Sequence, residues 1–136
     1  MSVLTGAMEG AALTSAASGV SESAGRAPDR PVDLVHLSRY TMGDRGLETE
    51  LLELFRQQAR VYLARMENAA GPEDWQNAAH SLKGSAKAVG AWAVAAAAEA
   101  AEAMRSADIA SLRSQIAVID AKISAASAYI DDLLSV

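Results

Sequence analysis

The sequence predicts an all-α fold, an antiparallel up-down-up-down four-helix bundle with a short extra N-terminal helix across one end. Three observations carry that prediction. Apolar residues recur at steps of three and four in four successive segments, and no segment alternates with period two over a useful length. Alanine supplies 31 of the 136 residues and aromatics only 4%, and alanine is the best helix former and a poor strand former. The segments are joined by short Gly-, Pro- and Asp-marked turns, which oblige consecutive helices to pack antiparallel.

The elements follow in order. Residues 1–30 hold Gly6, Gly10, Gly19 and Gly25 with many Ser and Ala, and read as a flexible tail rather than a packed segment. Order is expected from Pro31 onward, giving one domain over 31–136. Asp33 is the expected N-cap of a short helix carrying Leu34, Val35 and Leu37. Thr41 to Gly46 reads as a turn, with Asp44 capping the next helix. That helix is expected over Arg45 to Asn68. Its stripe is Leu52, Phe55, Ala59, Tyr62 and Met66, widened by Leu51 and Leu63, with Glu48, Glu53, Arg56 and Arg60 in solvent. Gly71 breaks the chain, and Pro72 followed by Glu73 and Asp74 starts a helix expected to run to Val89, with Gly90 as the residue that ends it. Its core stripe is Trp75, Ala79, Leu82, Ala86 and Val89. A nearly polyalanine helix is expected over Ala91 to Arg105, lined by Val94, Ala97, Ala98, Ala101 and Met104. Asp108 then caps a last helix with the stripe Ile109, Leu112, Ile116, Ile119, Ile123, Ala126, Ile130 and Leu133.

Composition excludes several functions. A net charge of −5 argues against a general nucleic-acid binder. With no cysteine, disulfides, thiolate-bound zinc and thiol catalysis are ruled out. No apolar run reaches the roughly 18 residues of a membrane helix, and no charged start precedes a compact apolar region as in a signal peptide. A cytoplasmic location and no membrane partner are therefore expected. No Gly-rich nucleotide loop is present. Glu99 and Glu102 form one i, i+3 pair without a matching pair, and His36 and His80 lack zinc spacing. No resident metal or cofactor is expected.

The helix starting at Pro72 has a second face. His80, Lys83, Gly84 and Lys87 fall at i, i+3, i+4 and i+7 and form a stripe offset from the core residues. A mid-helix glycine costs about 1 kcal/mol relative to alanine, so its retention in an alanine-rich chain points to close approach by another molecule. A neutral imidazole is a good nucleophile near neutral pH. Attack on phosphorus would give a phosphoimidazole, with Lys83 and Lys87 balancing the charge on its oxygens. A surface histidine among lysines is the plainer alternative, and the misplaced glycine counts against it.

The run Ala79-His80-Ser81-Leu82-Lys83-Gly84-Ser85-Ala86, followed by Gly90, resembles the H-x-L-K-G-[SA] signature of histidine-containing phosphotransfer (HPt) domains of multistep phosphorelays. The resemblance extends over about residues 32–134 and includes the short first helix, the Asp44 turn, the Leu-rich second helix and Glu102. It implies a phosphocarrier, with His80 as phosphoacceptor, Lys83 steadying the phosphoryl group and Gly84 leaving room for a receiver domain. Lys87 is added from spacing alone. The alanines at 97, 98 and 101 depart from the larger aliphatics usual in the family and predict closer helix spacing. The implied partners are receiver domains of a hybrid sensor kinase and of a response regulator, which supply the aspartate and the Mg²⁺. No autokinase activity is implied, and the chain is expected to be a monomer. Leu37, Tyr40, Met42 and Ser81 are expected at the partner face. Trp92 is either an anchor there or a side chain folded over the bundle end. Two other readings compete. A dimeric histidine-kinase-like phosphotransferase would place its histidine in a dimerising hairpin, and a non-catalytic helical adaptor would make the His80 face incidental.

Overall fold

The computed structural model describes residues 30–104 and 108–135. Five helices occupy them: α1 (Leu34–Thr41), α2 (Arg45–Glu67), α3 (Pro72–Val89), α4 (Trp92–Glu102) and α5 (Ile109–Leu134). Among the described residues all regular structure is helical. The expected tail lies, apart from Arg30, outside them.

Helix boundaries follow local chemistry. The first backbone N–H groups of a helix have no internal partner, and a short acidic side chain can accept from them. Asp33 accepts from the N–H of His36, Asp44 from that of Leu47 and Asp108 from that of Ser111, at 2.8 to 3.1 Å. Helix α3 starts differently, with Pro72 just inside Gly71 and no side-chain cap. Pro72 lacks the N–H that would need one. The helix ends at Gly90 in the left-handed region, φ +79°. A Cβ there would lie 2.9 Å from both the Cβ and the carbonyl oxygen of Asp33, so this position excludes side chains by space as well as by backbone angle. The Asp33 N–H donates to the Gly90 carbonyl, binding the start of α1 to the end of α3.

Two expected boundaries shift. Helix α2 ends at Glu67, with Asn68 as its C-cap. Helix α4 spans Trp92–Glu102 rather than 91–105. Ala91 is its cap and Ala103 ends it. Alanine continues a helix anywhere, so the polyalanine run contains no stop signal to read.

Each long helix packs against two others: α2 against α3 and α5, and α4 against α3 and α5; α1 packs on α2 and α3. The core contains the expected stripes. Phe55, Leu82, Val94, Ile119, Ile123 and Ile130 are fully buried, and Leu37 and Val32 close it beneath α1. Ala95, Ala97, Ala98 and Ala101 make up the rest of the buried face of α4. Two side chains reach the α4 backbone from its neighbours. Trp75 Nε1 donates to the Ala101 carbonyl at 2.7 Å, and Gln115 Nε2 donates to that of Ala97 at 2.9 Å. Ile109 departs from its stripe and is exposed, because the first turn of α5 extends past the packed part of the core. Arg56 and Arg60 are not simply solvated. They pair with Asp131 and Asp120 of α5, and Arg60 also donates to Ser124. No described helix is long and apolar enough to cross a membrane.

Candidate functional site

The site is built on α3. Trp75, Ala79, Leu82, Ala86 and Val89 are all buried, which fixes the helix's rotation. His80, Ser81, Gly84 and Lys87 are left on the exposed side. The His80 side chain is 68% exposed. A Cβ built at Gly84 meets nothing within 4 Å. No contact within the chain therefore requires glycine here, and the free volume lies outside the protein surface.

Glu102, the last residue of α4, organises this face. Its Oε2 lies 2.9 Å from His80 Nδ1, and its Oε1 lies 2.8 Å from Lys83 Nζ. The hydrogen bond from Lys83 holds the Glu102 carboxyl below its ordinary value, partial burial opposes it, and the bond with His80 adds to the lowering. An ionised carboxylate only accepts hydrogen bonds, so Nδ1 must carry the hydrogen. In the neutral ring Nε2 then has the free lone pair. The arrangement is an oriented imidazole with its reactive nitrogen turned away from the carboxylate.

The expected charges are only partly realised. Lys83 is 19% exposed and held by Glu102, so it is not a free surface ammonium. Lys87 is exposed and forms no ion pair among the described residues. The sequence did not identify Glu102 as the partner of His80. The two are 22 residues apart, and their contact depends on the relative phase of two helices, which spacing within one helix does not encode.

The expected partner face separates into two groups. Tyr40 and Met42 are exposed, at 68% and 94%, and Ser81 is exposed beside His80. Leu37 is fully buried and cannot touch a partner; on an eight-residue helix it is the residue that seals the core. Trp92 is half-buried and turned inward. Its Nε1 donates to Asp33 Oδ2 at 2.9 Å, and its ring meets His36 edge-on with centroids 4.8 Å apart. These contacts tie the start of α4 to α1. Among the described residues no group of three or more His, Cys, Asp or Glu side chains is placed to hold a metal ion.

A chain whose described residues form helices as their only regular structure, and which presents an oriented, exposed histidine beside a helix position without a side chain, has the makings of a group-transfer protein. A sequence model of the Hpt domain matches residues 50–129, more than half of the chain, and the protein belongs to that family. No curated protein and no solved structure gives a significant match. Hpt domains perform histidine phosphotransfer in phosphorelays and interact with receiver domains.

Proposed function

We propose that the protein is a phosphorelay shuttle in which His80 accepts a phosphoryl group from a receiver-domain phosphoaspartate and passes it to the aspartate of a second receiver. One observation carries this reading: His80 is exposed with Nδ1 bonded to Glu102, which leaves Nε2 as the nucleophile on the face that Gly84 keeps clear. In the transfer, the Nε2 lone pair attacks phosphorus in line. An N–P bond forms, the P–O bond to the aspartyl carboxyl breaks, and the carboxylate leaves. Lys83 steadies the phosphoryl oxygens and Lys87 adds charge at the rim. The receiver brings the metal ion.

The proposed scaffold is an antiparallel up-down-up-down bundle over residues 31–136, with α1 across one end. Support comes from the pairing of each long helix with two neighbours and from the short turns. The proposed partners are the receiver of a hybrid sensor kinase and that of a response regulator, met in the cytoplasm by a monomer. Tyr40, Met42 and Ser81 are the proposed contacts around His80.

The test is transfer from a phosphorylated receiver to the wild type and to His80→Gln. Acid-labile, alkali-stable label on the wild type alone, chased onto a second receiver, is the expected result. Equal labelling of His80→Gln would move the phosphoacceptor elsewhere. No transfer, with receiver binding intact in the variant, would leave the protein an adaptor.

A further inference from the structure

A cavity opens where α2 ends, α3 begins, α4 ends and α5 begins, at the opposite end of α3 from the turn to which α1 is tied. Its apolar wall includes Met66, Trp75, Met104, Leu112 and Ile116, and its volume is about 430 Å³. Small-molecule sites typically measure about 300–1,000 Å³. None of His80, Lys83, Gly84, Lys87 and Glu102 lines it, so it is separate from the phosphoacceptor face.

The wall chemistry selects a ring. Met66 and Trp75 are buried, and Met104, Leu112 and Ile116 are half-buried. Thioethers adapt their shape to an aromatic ring and make favourable sulfur contacts with it. A second ring adds edge-on or offset contacts. The Trp75 indole N–H already donates to the Ala101 carbonyl at 2.7 Å, so Trp75 offers an occupant its ring rather than a hydrogen bond.

Two charges of opposite sign complete the lining. Glu67 is the last residue of α2, and Arg113 stands in the second turn of α5. Both are exposed, and neither forms an ion pair among the described residues. A simple carboxylate would be attracted by Arg113 and repelled by Glu67, and a simple amine would meet the reverse. A zwitterion satisfies both. We infer that this cavity binds a free aromatic α-amino acid as its zwitterion. The ring lies against Met66, Trp75 and Met104, the carboxylate faces the Arg113 guanidinium, whose fork matches it, and the ammonium faces Glu67. Binding is non-covalent and does not depend on the phosphotransfer reading, so His80→Gln should bind the same ligand as the wild type.

The test is a titration of the full chain with L-phenylalanine, followed in ¹H–¹⁵N spectra with the Trp75 indole N–H as the reporter in the cavity wall. Saturable shifts are expected there and at the backbone of Leu112 and Arg113, with a Kd of about 1 mM or below. Glycine has both charges without the ring and should move none of these signals. Phenylalaninamide lacks the carboxylate and N-acetylphenylalanine lacks the ammonium; each should bind about tenfold more weakly than phenylalanine. Arg113→Gln and Glu67→Gln alter exposed side chains outside the core, so the fold should stand in both. In Arg113→Gln the difference between phenylalanine and its amide should close while the difference from the N-acetyl compound remains. In Glu67→Gln the two should exchange.

No saturable shift at Trp75 up to about 10 mM phenylalanine would overturn the site. Equal binding of phenylalanine, its amide and its N-acetyl form would overturn the zwitterion and leave an apolar cleft. Movement of the same signals on dilution of the protein alone would give the cavity to a second copy of the chain, and would overturn the amino-acid ligand.

Discussion

At the scale of single residues, Gly84 separates what the fold needs from what the proposed partner needs. A glycine inside a helix costs about 1 kcal/mol relative to alanine, and nothing lies within 4 Å of the Cβ it lacks. Gly84→Ala is therefore expected to stabilise the isolated protein by up to about 1 kcal/mol, read from urea unfolding. The same substitution should slow transfer from a receiver while leaving labelling by phosphoramidate unchanged, because only the large partner needs the space. Slowing with both donors would place the effect on His80 itself. The sequence made this residue legible, since a glycine in an alanine-rich helix stands out against its neighbours. It made His80 and Lys83 legible as one stripe too. It did not show that Lys83 is tied up by Glu102, because charge spacing on one helix says nothing of a carboxylate arriving from the next.

At the scale of elements, the legible parts were those with local signals. Pro72 and Gly90 bracket α3, and aspartates start α1, α2 and α5, all where the sequence placed them. The end of α4 was not legible, because no glycine, proline or capping group marks it. Nor was the attachment of α1, which joins residues 59 apart. Asp33 holds that attachment by capping His36, receiving the Trp92 indole N–H and donating its own N–H to Gly90. Burial pushes the Asp33 carboxyl up, but the bonds from Trp92 and the His36 backbone together outweigh it, and the net displacement is downward. The sign of the linkage follows. A carboxyl with a depressed folded-state value adds stability above its unfolded value, and that stability is lost as pH falls through the folded one. Acidification below the ordinary carboxylate range should thus loosen α1 from the α3–α4 turn. Trp92 emission is expected to report this as an acid transition that Asp33→Asn removes. Asp33→Ala should cost about 1 kcal/mol in lost capping alone at neutral pH. An acid transition of unchanged midpoint in Asp33→Asn would assign it to another group.

At the scale of the whole molecule, the question is what closes α5 onto α2. Two kinds of contact cross that seam. Ile119, Ile123, Ala126 and Ile130 are fully buried toward the core, and outside them Arg56 and Arg60 pair with Asp131 and Asp120. The ion pairs have the more conspicuous geometry, but their side chains are 30% to 67% exposed. Water and salt screen such charges, and ordering two long side chains costs entropy. Exposed pairs of this kind contribute about 0.2–1 kcal/mol each. Truncating a buried isoleucine costs about 2–5 kcal/mol, since the cavity adds to the lost transfer free energy. The core should therefore dominate the seam. A double-mutant cycle on Arg60 and Asp120 is expected to give a coupling of about 1 kcal/mol or less, shrinking further in about 1 M NaCl as screening shortens the reach of the charges. Ile123→Ala is expected to lose several times that, with little dependence on salt. A coupling comparable to the Ile123→Ala loss would make charge the closing force. Since α5 contributes no side chain to the cluster of His80, Lys83 and Glu102, Arg60→Ala should phosphorylate at the wild-type rate, which would make the α2–α5 seam structural and the α3–α4 pair the part that performs the chemistry.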